Sequence, residues 1–175
     1  MNRHLAHAFV RLVCTIGVAV GGFYLLQEPW RKAEIRTVVG LLSVSDVHRA
    51  SHVYGTSVLV APEHAAPFLA VVAPSCSALG ALLAFSTIAM FLVSGPLSRR
   101  MLAAAAAGAL VVIVNLVRIA LSLTVGVNYG SQAMITVHDW IGTLLGLFAV
   151  LAGFTVFMYL LLPHDSERPE VTVER

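Results

Sequence analysis

The sequence predicts an all-α polytopic integral membrane protein with about four transmembrane helices. Two observations carry that expectation. The 175 residues are 58% hydrophobic and only 11% charged, whereas a soluble domain carries about 25% charged residues. Several apolar stretches also reach the roughly 18 residues that mark a membrane-crossing helix. The net charge of +2, with no basic stripe outside short flanks, argues against nucleic acid as a partner.

The first span covers residues 8–26, with Arg11 near its start, where the long side chain can snorkel to the headgroups. It lacks a small-residue cleavage site of the signal-peptide kind, and Gln27-Glu28-Pro29-Trp30 reads as its exit from the membrane. An extracytoplasmic segment follows over residues 27–75. Within it Ile35, Val38, Val39 and Leu42 keep the i, i+3, i+4, i+7 spacing of one helix face. With Arg31, Lys32 and Arg36 alongside, this predicts a short helix lying in the membrane interface. Residues 57–60 and 68–72 are rich in strand formers and are separated by Pro62-Glu63-His64-Ala65-Ala66. They read as a short β-hairpin feeding into Cys76, although residues 68–73 also fit an early turn of the second helix.

The second span covers residues 76–93 and stops at Ser94-Gly95-Pro96. The third covers 101–127 and the fourth 139–162, ending at Pro163. Residues 1–162 thus form one membrane domain, and 163–175 a polar cytoplasmic tail of a composition that does not fold alone. An N-terminus inside the cell places Arg3, Arg11, Arg99, Arg100, Arg168 and Arg175 on the cytoplasmic side. Arg31, Lys32, Arg36 and Arg49 are then outside, but Arg99-Arg100 lies in a very short loop, which weighs most in the positive-inside rule. That orientation puts Cys76 and His138 at the extracytoplasmic face of a multi-pass plasma-membrane protein.

Three residues can carry chemistry there. Arg118 lies inside the third span, where an arginine costs about 2.5–3.5 kcal/mol to insert and so is rare without a role. Asn115 sits one turn earlier on the same face, making a polar patch that favours the bundle interior over lipid. The bland alternative is a snorkelling anchor. Cys76 opens the second span, and the free N–H groups of a helix start together with the Arg118 cation would favour its thiolate. A cysteine in an apolar run is otherwise a small inert hydrophobe, which is how Cys14 reads. His138 begins the fourth span beside Asp139 and Trp140, and an imidazole suits proton transfer to and from a thiol or an amine. Its alternative is an interfacial histidine, with Asp139 capping the helix. The cysteines lack CxxC spacing, and the i, i+4 pair His48 and His52 has no third ligand, so no metal or cofactor is expected.

Cys76-Ser77-Ala78-Leu79, Asn115-Leu116-Val117-Arg118 and His138-Asp139-Trp140-Ile141-Gly142 occur in order, each at a matching place relative to its span. Together they resemble the exosortase/archaeosortase family of membrane-embedded cysteine transpeptidases, over residues 53–162. The resemblance implies Cys76, Arg118 and His138 as catalytic residues, with Asn115, Ser77 and Asp139 in support. It also implies that C-terminal sorting signals of exported proteins are cleaved through a Cys76 thioester. Such a substrate ends in a short motif, a transmembrane helix and a basic cluster. Ala78 departs from the glycine common in the family, and the chain is a short form, which leaves an oligomer or a partner membrane protein open. Two other functions fit the residues alone. One is a transporter or channel component using Arg118 as an anion site, and the other is a non-catalytic membrane scaffold.

Overall fold

The computed structural model describes residues 3–44, 52–62, 65–93 and 95–162. Its first element, α1, is a 42-residue helix over Arg3–Val44 with Pro29 inside it, a rise of roughly 63 Å at 1.5 Å per residue. One expectation is thereby corrected: the amphipathic stretch after residues 27–30 is not a separate interfacial helix but a continuation of α1. Proline removes one helical hydrogen bond, a loss that membrane helices tolerate when neighbouring groups compensate. The bond lost is the one to the Leu25 carbonyl, four residues before Pro29. Packing holds the helix beyond it: Ile35 and Val38 are fully buried, in one apolar cluster with strand residues and with Ile119 and Leu123 of the third helix. The apolar face that the sequence assigns to headgroups covers protein instead.

A three-stranded antiparallel sheet follows, with β1 at His52–Tyr54, β2 at Ser57–Val60 and β3 at Phe68–Val71, in the order β1-β2-β3. The expected hairpin is the β2–β3 pair, in register Val58↔Ala70 and Val60↔Phe68. β1 is an additional strand, joined to β2 by a tight turn in which Gly55 adopts φ 64°. Val58, Val60, Ala70 and Val72 face the cluster beneath α1, and this burial settles the chain before Cys76 as strand rather than helix.

From β3 the chain enters a 3₁₀ turn at Pro74–Cys76 and then α2 at Leu79–Thr87, which continues as a π-helical turn at Ile88–Leu92. The helical part rises roughly 21 Å, short of the roughly 30 Å hydrocarbon core. Cys76 therefore stands in a turn ahead of the helix, not on its first residue.

The third helix, α3, spans Leu97–Val137 and departs from helical geometry at Gly130, with φ 84° and ψ −177°. There the chain doubles back: a Cβ on Gly126 would meet the Met134 Sδ at 3.1 Å. A π-helical turn at His138–Gly142 and then α4 at Thr143–Leu161 continue the returning strand of this helical hairpin. His138 accordingly lies about two turns beyond the reversal rather than at a helix start, and Asp139 makes no side-chain cap there.

Small residues let α3 and α4 approach closely, as in membrane bundles. A Cβ on Gly153 would fall 3.0 Å from Val111 Cγ2 and 3.3 Å from the Ala107 carbonyl oxygen. At the far end of the bundle the arginine pair closes helix ends. Arg99 donates to the carbonyls of Leu160 and Leu162, and Arg100 to that of Val93 at 2.6 Å.

Two helical stretches, Ala6–Val44 and Leu97–Leu161, are long and apolar enough to cross a membrane, and Leu79–Phe91 is a shorter apolar helix. Their outer faces expose large apolar side chains such as Leu25, Ile113 and Phe148, which suits contact with lipid. His48 of the expected histidine pair and the tail from residue 163 lie outside the described residues.

Candidate active site

Proline fixes the turn that presents the cysteine. Pro74 opens the 3₁₀ turn with its preset φ, and the Cys76 amide closes it on the Ala73 carbonyl at 2.9 Å. Cys76 is 7% exposed. Its Sγ lies 3.1 Å from Nε2 of His138, which the π-helical turn brings across from the α3–α4 hairpin. A π turn holds one residue more than an α turn and so displaces a side chain from helical register, a feature that recurs at functional sites. Sixty-two positions separate these two side chains in the chain. Only the fold makes them a pair.

Two backbone donors at the start of α2 are engaged away from the sulfur. The Ala78 N–H donates to Glu34 Oε1 at 3.0 Å, and the Leu79 N–H to Ser77 Oγ at 3.3 Å. That hydrogen bond is the part Ser77 plays. The imidazole of His138, not the start of α2, is what meets the sulfur. Ala78 has φ −71° and ψ −11°, a conformation open to any residue, and its methyl is buried.

Arg118 points inward. It lines a cavity of about 490 Å³ together with Cys76, Asn115, His138, Asp139 and apolar residues of α3 and α4. Its side chain passes over two glycines: a Cβ on Gly142 would fall 2.9 Å from Arg118 Nε, and one on Gly146 would fall 3.6 Å from Nη1. The Nε is buried without a hydrogen-bond partner among the described residues. A snorkelling anchor would extend along the lipid face instead. On the other side of the Cys76–His138 pair is a second cavity of about 270 Å³, walled mainly by Ile35, Ile119, Leu123, Met134 and the end of β3. Cys76, His138 and Asp139 line both. Asp139 is itself exposed, at the rim.

Glu34 escapes sequence reasoning. It is 3% exposed, and its Oε1 accepts both the Ala78 N–H and the Asn115 Nδ2–H, each at 3.0 Å. The available signal is its position. On α1 it stands beside Ile35, four residues before Val38 and three after Arg31, a carboxylate next to the apolar residues of that face. Cys14, the other cysteine, is exposed on the same helix.

The family model of transmembrane exosortases matches residues 3–158. The chain belongs to this family. The match runs from the start of α1 almost to the end of α4, so Glu34 lies inside it as well as the three candidate catalytic residues. Exosortases are membrane proteins of cysteine peptidase and transpeptidase type that act on sorting signals. No curated protein and no solved structure matches this exosortase chain.

Proposed function

We propose that this exosortase cleaves C-terminal sorting signals of exported proteins, with Cys76 as nucleophile, His138 as acid and base, and Arg118 as the charge that stabilises the oxyanion. The observation that carries the reading is the 3.1 Å approach of Cys76 Sγ to His138 Nε2 in the wall of a cavity that Arg118 also lines. Proton transfer from the thiol to the imidazole gives a thiolate next to an imidazolium. The thiolate attacks the scissile carbonyl carbon, forming the S–C bond, and the carbonyl oxygen takes the charge. The Arg118 guanidinium, which lines the same cavity, is a suitable donor for that oxygen. Collapse breaks the C–N bond, His138 returns its proton to the leaving amine, and a thioester remains on Cys76. Water or an acceptor amine or hydroxyl then attacks the thioester, His138 takes up its proton, and the thiolate leaves.

The substrate's own transmembrane helix would pack beside the bundle and bring the scissile peptide to the level of Cys76. An apolar side chain next to the cleaved bond would enter the cavity between Ile119, Leu123 and Met134. The charges support a four-span arrangement with the N-terminus inside. Arg11 and Arg100 line one cleft at the far end of the molecule. Along α3, Arg118 stands roughly 27 Å from Arg100, which is nearly the thickness of the roughly 30 Å hydrocarbon core.

The deciding experiment traps the acyl-enzyme from membranes supplied with a candidate tail substrate and locates the adduct by mass spectrometry. A thioester on Cys76 is expected, absent from Cys76→Ser. Arg118→Ala should slow its formation by about 10²- to 10³-fold, the usual loss for one oxyanion donor. Processing that continues with no adduct on Cys76 rules the mechanism out. An anion flux that survives Cys76→Ser and is lost in Arg118→Ala would support a transporter instead.

A further inference from the structure

The segment that carries the nucleophile is held at both ends by one turn of α1. Upstream of Cys76, the Val72 carbonyl accepts a hydrogen bond from Arg31 Nη1 at 2.9 Å. Downstream, the Ala78 N–H donates to Glu34 Oε1 at 3.0 Å. Arg31 and Glu34 are three residues apart on a continuous helix and so project from the same face. The same Glu34 oxygen also receives Asn115 Nδ2–H, which ties α1 to α3 one turn before Arg118. The opposite charges match what they hold. A cation meets a carbonyl at the end of β3, and an anion meets a free amide at the start of α2, where negative charge is favoured.

We infer that Arg31 and Glu34 form a positioning clamp that fixes the Val72–Ala78 segment and thereby sets the distance of Cys76 Sγ from His138 Nε2. Few other bonds hold this segment. The Val72 N–H pairs with the Thr56 carbonyl at 3.0 Å, beyond which the chain makes a single three-residue 3₁₀ turn before α2. A turn that short does not by itself fix a sulfur to within a few tenths of an ångström of its partner. Two charge-assisted hydrogen bonds from a rigid helix do. Glu34 is a costly residue at 3% exposure, and its Oε2 has no hydrogen-bond partner among the described residues. The second oxygen leaves Glu34 wholly committed, through Oε1, to the nucleophile's backbone and to Asn115. Neither residue touches the reacting atoms. Both act through Cys76.

The inference deepens the proposed function, yet its test does not require a peptide substrate. In a Cys14→Ser background, Cys76 is alkylated with iodoacetamide over a range of pH, and processing is measured in parallel. In the intact clamp the pH profile depends on His138 and changes when His138→Gln is introduced. Glu34→Ala should remove that dependence and lower kcat by about tenfold or more with KM changed by less than about threefold, the pattern for misplacement of a reacting group. Glu34→Gln keeps an acceptor oxygen and should recover most of the loss. Arg31→Ala should act in the same direction.

A Glu34→Ala protein whose alkylation profile still responds to His138 as in the wild type overturns the clamp. So does a Glu34→Gln protein as impaired as Glu34→Ala, because acceptor geometry would then not be what matters. If neither Glu34→Ala nor Arg31→Ala yields folded protein, the pair serves folding and the positioning role is rejected. If processing never occurs but alkylation follows the expected order, the clamp stands and the proposed reaction falls.

Discussion

Arg118 has room at the candidate active site because Gly142 has no side chain. A Cβ at residue 142 would lie 2.9 Å from its Nε, closer than such atoms approach in practice, so the guanidinium would have to swing away. Gly142→Ala should therefore leave the fold intact, since alanine favours the helix by roughly 1 kcal/mol, while processing falls by about tenfold or more. Processing rates compared with detergent melting curves check this, and wild-type rates in Gly142→Ala would free Arg118 of any fixed position. Cys76, Arg118 and His138 were legible in the sequence because rare polar residues in apolar runs stand out. Glu34 was not. Its meaning comes from which way the helix face turns and from an amide 44 positions away, and periodicity applied to the apolar residues alone passes over the polar one among them. The engaged amides at Ala78 and Leu79 were equally hidden, because capping partners are set by tertiary structure.

At the scale of elements, apolar periodicity located the helices and alternation the hairpin, but their ends depended on contacts. α1 was expected to give way to a separate helix after Pro29, yet it runs through, with one face of its far part buried against the sheet and α3. A loop was expected between residues 127 and 139; the chain instead stays helical on both sides of a reversal at Gly130, the one residue of that stretch with non-helical φ and ψ. This shift carries His138 from a helix start into a π turn, where it can face Cys76. The frame that makes this possible is the close contact of α3 and α4 at Gly153. Gly153→Val would place new carbons against Val111 and the Ala107 carbonyl, an overpacking cost of about 1–3 kcal/mol. That exceeds the few tenths of a kcal/mol by which valine is the better helix former. Thermal unfolding in detergent should begin at lower temperature, and His138-dependent alkylation of Cys76 should weaken with it. An unchanged melting curve would mean that the helices have room to separate without loss.

For the whole molecule, the question is which side of the membrane the site faces. The arginine pair that closes the ends of α4 and of the α2 segment gathers positive charge at one end. Arg11 joins it there. Cys76, His138 and the sheet are at the other end, along with exposed Tyr129 and Trp140, residues suited to a membrane–water boundary. Leu97 and Tyr129 mark the two ends of the helical part of α3 before its break, and both are exposed. They lie roughly 48 Å apart along the helix axis, too far for a single face of a roughly 30 Å core. In a protein lacking both native thiols through Cys14→Ser and Cys76→Ser, Tyr129→Cys should react with a membrane-impermeant maleimide on intact cells. Leu97→Cys should react only after the membrane is opened. The reverse pattern would turn the site toward the cytoplasm, where a tail-processing exosortase could not meet an exported substrate. Labelling of both from one side would mean that α3 does not cross the membrane at all.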